Sequence, residues 1–380
     1  MKKEKELKIS GDLTVTLENQ HNFKNLTEVS GYIDVQEGAT LTAPALTKSG
    51  SIYVRQGATL TAPALTEVSG YIDVQEGATL TAPALTKSGS IYVQEGATLT
   101  APALTKSGYI DVRQGATLTA PALTKSGSIY VRQGATLTAP ALTEVSGYID
   151  VQEGATLTAP ALTKSGSIYV QEGATLTAPA LTKSGSIYVR QGATLTAPAL
   201  TEVSGYIDVQ EGATLNIPQI KDLRWKAVDN TLFVIESDKT SKGIKIYTGY
   251  VIQSIQEGKS IKKACFVSEK DGFYAHGETL KGSISDLQFK IASEKLKNDP
   301  INEDTLLTVN HYRLITGACD FGCRSFMESN GIPFKIENQG TGNERTVEVN
   351  PIKAIDLFKL LKKTTPFGFD KFKSLVTFEC

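Results

Sequence analysis

Tyrosine and aspartate recur along this chain at spacings that would line them up on one surface. Tyr32 and Asp34, Tyr71 and Asp73, Tyr109 and Asp111, Tyr148 and Asp150, and Tyr206 and Asp208 form Tyr-x-Asp pairs. Between them Tyr53, Tyr92, Tyr130, Tyr169 and Tyr188 close Ser-x-Tyr triplets. Residues two apart in an extended segment share a face, so all of these point the same way if the segments are strands. Phenols and carboxylates in such a row suit recognition, because tyrosines on a rigid surface give contact area at low entropic cost. The competing reading is that the rings stack along the ladder and stabilise the sheet.

A second array, Thr40-x-Thr42, Thr59-x-Thr61 and their counterparts, would form a flat threonine surface. It resembles the ice-binding face of β-solenoid antifreeze proteins. Threonine is also a favoured outward strand residue, and the short strands and interleaved charges weigh against that function.

The groups fit for covalent or metal chemistry lie further on. Cys319 and Cys323, at i and i+4, would share a helix face and supply half of a metal site with Cys265, His276, His311 or Cys380. Two ligands at that spacing are a weak signal, and buried free cysteine is common. His311 and Cys319 would lie roughly 12 Å apart along a helix, beyond hydrogen-bond reach unless a break at Gly317 folds two helices together. The chain has no P-loop, G-x-S-x-G, H-E-x-x-H or paired-carboxylate signature. No metal, cofactor or catalytic residue is therefore expected.

From His311 to Ser329 the sequence has the outline of a helix-turn-helix, with Arg313, Arg324, Lys359, Lys362, Lys363, Lys371 and Lys373 as phosphate contacts. Nucleic-acid binding through this region is the alternative function. Helical hairpins are common for packing reasons alone, and the charge weighs against this reading, since residues 213–380 carry only 24 basic against 21 acidic side chains.

The elements that must carry these residues follow from repetition. The stretch Ser30 to Thr47 recurs nearly unchanged, with glycines at Gly31, Gly50, Gly70, Gly89, Gly108, Gly127, Gly147, Gly166, Gly185 and Gly205, a period of 19 or 20 residues. The longer copies read Thr-Glu-Val-Ser, taken as a turn, where the shorter read Thr-Lys-Ser. Tyr32-Ile33-Asp34-Val35 and Thr40-Leu41-Thr42 alternate outward and inward, which predicts two short strands per copy. Gly38 and the Ser-Gly pair supply turn conformations that side chains with a Cβ resist, and Pro44 sits at a strand end or corner. One copy cannot bury Ile33, Val35, Leu41 and Leu46 alone, but stacked copies build a continuous core.

The pattern G-x-I-x-V-x-x-G-A-x-L-x-x-P-x-L resembles the leucine-rich-repeat-like right-handed β-solenoid of receptor L-domains, over residues 10 to about 220. The resemblance implies fold only. The expected architecture is mainly β: a right-handed parallel solenoid of about 11 coils, then a small α+β domain. Residues 1–8 read as a charged tail, 9–30 as a capping coil, 31–220 as ten repeats and 221–380 as the second domain. Outward Thr40, Thr42, Ala43 and Pro44 recur unchanged too. Recent duplication accounts for that, and a surface kept uniform for a repetitive partner is the sharper alternative.

Beyond Trp225 the strand-like runs are Thr231 to Ile235, Ile244 to Ile255 and Ala264 to Val267. Helices are expected over Thr279 to Leu296, Asp304 through Tyr312 and Ile315 to a break near Gly317, Cys323 to Ser329, Ile352 to Leu361 and Phe369 to Val376. Tyr312 to Cys319, with Phe273 to Gly277 upstream, resembles an uncharacterised domain found behind repeat arrays in bacterial and phage proteins.

Composition narrows the partners. Residues 31–212 hold 14 acidic and 10 basic side chains, whereas a DNA mimic about 50 Å long would need roughly 30 negative charges. Arg55, Arg113, Arg132 and Arg190 are too few for a basic track. Sparse cysteine, a charged first segment and no apolar run of about 18 residues fit a cytoplasmic protein without a membrane span. The expected function is non-enzymatic: a scaffold, of bacterial or phage type, that binds a protein partner through the Tyr/Asp surface.

Overall fold

Each copy folds as the alternation requires, because the period-two pattern has one apolar face and a strand is the conformation that buries it. A computed structural model of the chain describes residues 6–298, 301–309, 311–312, 320–337, 345–364, 373 and 376–377. It comprises two units, residues 1–239 with 247–266, and residues 240–246 with 267–380.

The first unit holds a parallel β-solenoid of about 11 coils. Two sheets run along it. In the tyrosine sheet Ile33, Asp34 and Val35 pair with Ile52, Tyr53 and Val54, and the same register continues to Ile187, Tyr188 and Val189 against Ile207, Asp208 and Val209. In the threonine sheet Thr40, Leu41 and Thr42 pair with Thr59, Leu60 and Thr61. Ile52, Val54, Leu60 and Leu65 are fully enclosed between the sheets, and their equivalents are buried. Ala58 and Ala62 join them, small residues that let the two walls approach.

The corners explain the rest of the consensus. Gly38 sits at φ +67°, a conformation that side chains with a Cβ resist. At the opposite corner a Cβ on Gly50 would lie 2.7 Å from the Ser30 carbonyl oxygen of the preceding coil. Beside it runs a hydroxyl ladder: Thr66 donates to the carbonyl of Thr47 at 3.0 Å, Thr86 to Thr66 and Thr105 to Thr86. A side-chain bond thus reinforces the backbone bond between the same coils.

The Thr-Glu-Val-Ser segments are not turns. Glu67–Val74 is one strand in which Val68 occupies the inward column of Ser49 and Ser88, and the register shift between Val68 and Tyr71 absorbs the extra residue as a bulge. That column mixes valine with buried serine, three serines running from Ser88 through Ser107 to Ser126. Ser107, Ser126 and Ser184 satisfy their hydroxyls on nearby carbonyls, but those of Ser88 and Ser165 have no partner. Since an unpaired buried hydroxyl costs about 1–3 kcal/mol, Ser88→Ala and Ser165→Ala should each raise stability by about 1 kcal/mol. The thermal midpoint of the single variants against wild type checks this.

Both ends of the stack are closed. Asn19 accepts from the Thr16 amide at 2.8 Å and donates to the Thr14 carbonyl at 3.1 Å, satisfying backbone groups at the first coil. Leu7–Ile9, partly within the segment read as a tail, already pairs with Leu26–Val35. At the other end Asp208 meets Thr231 and Val203 meets Ile255, both antiparallel, so the parallel template stops. Leu232, Val234, Ile252 and Ile255 complete the apolar core there, which carries this unit past residue 220. Asp229-Asn230, Lys242-Gly243, Glu257-Gly258 and Asp271-Gly272 all have both φ values positive. That is the signature of two-residue type I′ hairpin turns.

In the second unit the strand Phe273–Gly277 precedes the helix Leu280–Asn298, close to the expected span. Buried Ser268 and Ser283 share a hydroxyl bond of 2.8 Å, and Lys290 donates to the Tyr274 carbonyl at 2.8 Å. Asp304 to Leu307 is not helical. Thr305 donates its hydroxyl to the Asn302 carboxamide and accepts the Asn302 amide, local bonds that compete with a helix, and Leu306–Leu307 pairs with Ile352–Lys353. Helices follow at Asp320–Ser329 and Ala354–Thr364, and Phe334–Glu337 pairs with Arg345–Glu348. The expected helix from Phe369 lies largely outside the described residues, and its end, Val376–Thr377, is a strand against Ile301–Asn302.

Candidate functional site

The register fixes two outward columns on the tyrosine sheet. One holds Tyr32, Ser51, Tyr71, Ser90, Tyr109 and Ser128; the other holds Asp34, Tyr53, Asp73, Tyr92, Asp111 and Tyr130. Tyrosines therefore zigzag between columns, and diagonal neighbours meet. Tyr32 and Tyr53 make an edge contact with centroids 5.9 Å apart, Tyr92, Tyr109 and Tyr130 form a run at 5.4 and 5.0 Å, and Tyr148 and Tyr169 meet at 6.1 Å. Tyr169 and Tyr188, in the same column, stack at 4.7 Å and 3°. Tyr32 and Tyr148 are in ring contact and still 39% and 51% exposed, while the most open rings, Tyr71 at 51% and Tyr206 at 74%, lie outside these contacts.

The aspartates are placed differently from the tyrosines. Arg55 donates from Nε and Nη2 to Asp34 at 2.7 and 2.9 Å, and Arg132 does the same to Asp111 at 2.7 and 2.8 Å. Gln94 donates to Asp73 at 3.0 Å, Gln171 to Asp150 at 3.1 Å, and Arg190 to Asp208 at 3.3 Å. Asp34 and Asp111 are buried. Each carboxylate is thus a tie between coils. Four of the five partners stand 21 residues beyond their aspartate, one period plus one or two, a signal that the sequence carried and that residue types alone did not reveal.

Electrostatics follow from these ties. The bond to Asp111 holds the Arg132 guanidinium above its ordinary pKa, and Asp34 does so for Arg55. Burial, then the Asp111 charge, pushes the Tyr109 phenol up, and burial does the same for Tyr169. These phenols stay protonated at neutral pH and offer one donor and one acceptor each. Arg55, Arg132 and Arg190 also lie over the rings of Tyr53, Tyr130 and Tyr188 at 5.3, 5.9 and 5.7 Å. Alongside runs a column of exposed ion pairs, Lys87 with Glu67 at 3.4 Å and Lys125 with Glu144 at 2.8 Å, worth little individually.

At the turn beside this sheet lies a shallow groove of about 570 Å³, lined by Gln75, Gln94, Arg113, Gln114, Arg132 and Gln133 among others. Arg113 approaches Asp111 only to 3.8 Å.

The residues weighed for other chemistry are dispersed or engaged. Among the described residues no three His, Cys, Asp or Glu side chains gather into a metal site. Cys265 and Cys323 are buried, and Cys319 and Cys380 lie outside the described residues. His311 takes the Thr308 amide on Nδ1 at 3.1 Å, and burial lowers its pKa against the opposing pull of Glu348. Of the nucleic-acid candidates, Arg324 is half-buried and reaches Thr346, and Lys359 is exposed and 3.8 Å from Asp356. Lys362 and Lys373 are exposed, and Lys363 ends the run on the same helix as Lys359. Arg313, Lys371 and the turn of the expected helix-turn-helix fall outside the described residues. Tyr312 stacks on Phe326 at 4.2 Å.

Comparison with family models, curated protein sequences and solved structures gives no match to the chain.

Proposed function

We propose that the protein is a non-enzymatic scaffold that binds a protein partner through its tyrosine sheet. One observation carries this reading: Tyr32, Tyr71, Tyr148 and Tyr206 remain open on a sheet paired from coil to coil, while the aspartates between them are tied up inside it. Such a surface contributes amphipathic contact area whose ordering cost is already met. Its repeat every coil, about 4.8 Å, suits a partner that is itself extended or repetitive. In this reading the ties from Arg and Gln keep the coils in register, and the rings make the contact.

The test is a quadruple variant, Tyr32, Tyr71, Tyr148 and Tyr206 each to serine, with unchanged circular dichroism as the control for folding. A partner isolated with the wild-type protein should bind the variant at least about 30-fold more weakly, the loss expected when aromatic anchors are removed. Undiminished binding, or binding to residues 267–380 alone, would move the function to the second unit.

A further inference from the structure

The threonine sheet is not continuous. It divides into two five-stranded sheets, one ending at Thr117–Thr119 and the other starting at Thr136–Thr138. Between the other successive repeats three backbone bonds recur, complete everywhere but at the last interface, where the one from Gly192 is missing. Gly96 donates to the Gln114 carbonyl, Ala101 to Thr119 and Thr117 to Ala97, at 2.9 to 3.0 Å. Their counterparts between these two coils, from Gly115 to Gln133, Ala120 to Thr138 and Thr136 to Ala116, are not formed. Leu118 and Ala116 beneath the gap are each 6% exposed, whereas Leu99 and Ala97 one coil earlier are sealed. The tyrosine sheet is intact at the same level. Lys106, Ser107 and Tyr109 to Val112 keep full register with Lys125, Ser126 and Ser128 to Val131, and Arg132 donates to the Val112 carbonyl at 2.8 Å.

The sequence is also unique at this level. Arg55 and Arg190 each have glutamine in the next coil, at Gln75 and Gln210, but Arg113 is followed by Arg132 and Gln114 by Gln133. Both guanidinium groups face one carboxylate. Asp111 is taken by Arg132, and Arg113 sits at 3.8 Å with 44% of its side chain exposed. Like charges stacked about 4.8 Å apart repel. These arginines occupy the turn that leads from the tyrosine sheet into the threonine sheet, so separating them lifts Gly115 to Ala120 away from the next coil.

We infer that this interface is a flexing seam, set by arginine stacked on arginine. The tyrosine sheet is its unbroken leaf and the threonine side opens, so the solenoid yields here by inclining its two halves toward the tyrosine face. The seam stands independently of what that face binds.

Hydrogen exchange read by mass spectrometry on the full chain tests it. Residues 109–123 contain Gly115 and Ala120 and have a sequence found nowhere else in the array, whereas the equivalent segments 32–46, 71–85 and 148–162 are identical to one another. Two amides of 109–123 should exchange at least about tenfold faster than their equivalents, as expected of amides freed from a ladder. Matching uptake curves would overturn the seam. Arg113→Gln, which also leaves the segment unique, should restore protection to the level of the other coils. Persistently fast exchange in that variant would overturn the origin in charge.

Discussion

Gly50→Ala should destabilise the solenoid by about 3 kcal/mol, the upper end of what overpacking costs, and Gly38→Ala by only about 1 kcal/mol. The two glycines are invariant between copies for different reasons. At Gly38 an added Cβ meets nothing within 4 Å, so the whole cost is the φ of +67°. At Gly50 the Cβ would fall 2.7 Å from the Ser30 oxygen and 3.0 Å from the Gly31 carbonyl carbon. Those atoms are main chain of the preceding coil and cannot yield without breaking the ladder that defines the stack. Because coils in an array can unfold in parts, the comparison is best made as urea midpoints of both variants followed by circular dichroism under one set of conditions. Equal losses, or a larger loss at Gly38, would show that the coils are not packed through the Gly31–Gly50 corner.

The turn role of Gly38 could be read from the chain because a strict period turns each column into one environment repeated many times, whereas Gly50, also read as a turn glycine, has no positive φ and is kept small by the main chain of the preceding coil. The same logic made Ile33, Val35, Leu41 and Leu46 readable as core and the tyrosines readable as outward. It stopped at two points. First, Asp34 and Asp111 look like free surface groups when only their own coil is considered. Their partners Arg55 and Arg132 belong to the next coil, and the pairing appears only when the period is applied to polar residues as it was to apolar ones. Secondly, identical words need not fold identically. Lys-Ser-Gly-Ser-Ile-Tyr-Val is a single strand at Lys87–Val93, yet at Lys164–Ser165 and Ile168–Val170 it is two segments with a break at the glycine. Nothing inside the seven residues distinguishes them; their neighbours do, since one lies beside Lys106–Val112 and the other beside Lys183–Ser184 and Ile187–Val189. In the second unit no repetition fixes the pattern, and there the short polar interactions around Asn302 and Thr305 turned a helical-looking run into a turn and strand.

The seam and the ties meet at Asp111, which makes that residue the most consequential single charge in the array. Asp111→Ala should cost about 2 kcal/mol. Breaking a buried pair leaves its partner without a counter-charge, and the full penalty for that is about 3–5 kcal/mol. It is reduced here because the Arg132 side chain is 36% open to water. Asp73→Ala is the internal control. Asp73 is matched by the neutral amides of Gln94 and Gln75 at 3.0 and 3.5 Å, so its removal strands no charge and should cost about 1 kcal/mol. The two variants also differ in where they act. Without Asp111 the repulsion between Arg113 and Arg132 loses its nearest counter-charge, leaving only the weaker pull of Asp150 on Arg132, so exchange in residues 109–123 should quicken beyond its already fast level, while the Asp73 variant leaves that segment unchanged. If both variants lose the same stability and neither alters exchange at 109–123, the carboxylate does not restrain the arginine stack. The opening of the threonine sheet would then need a cause in the backbone rather than in charge.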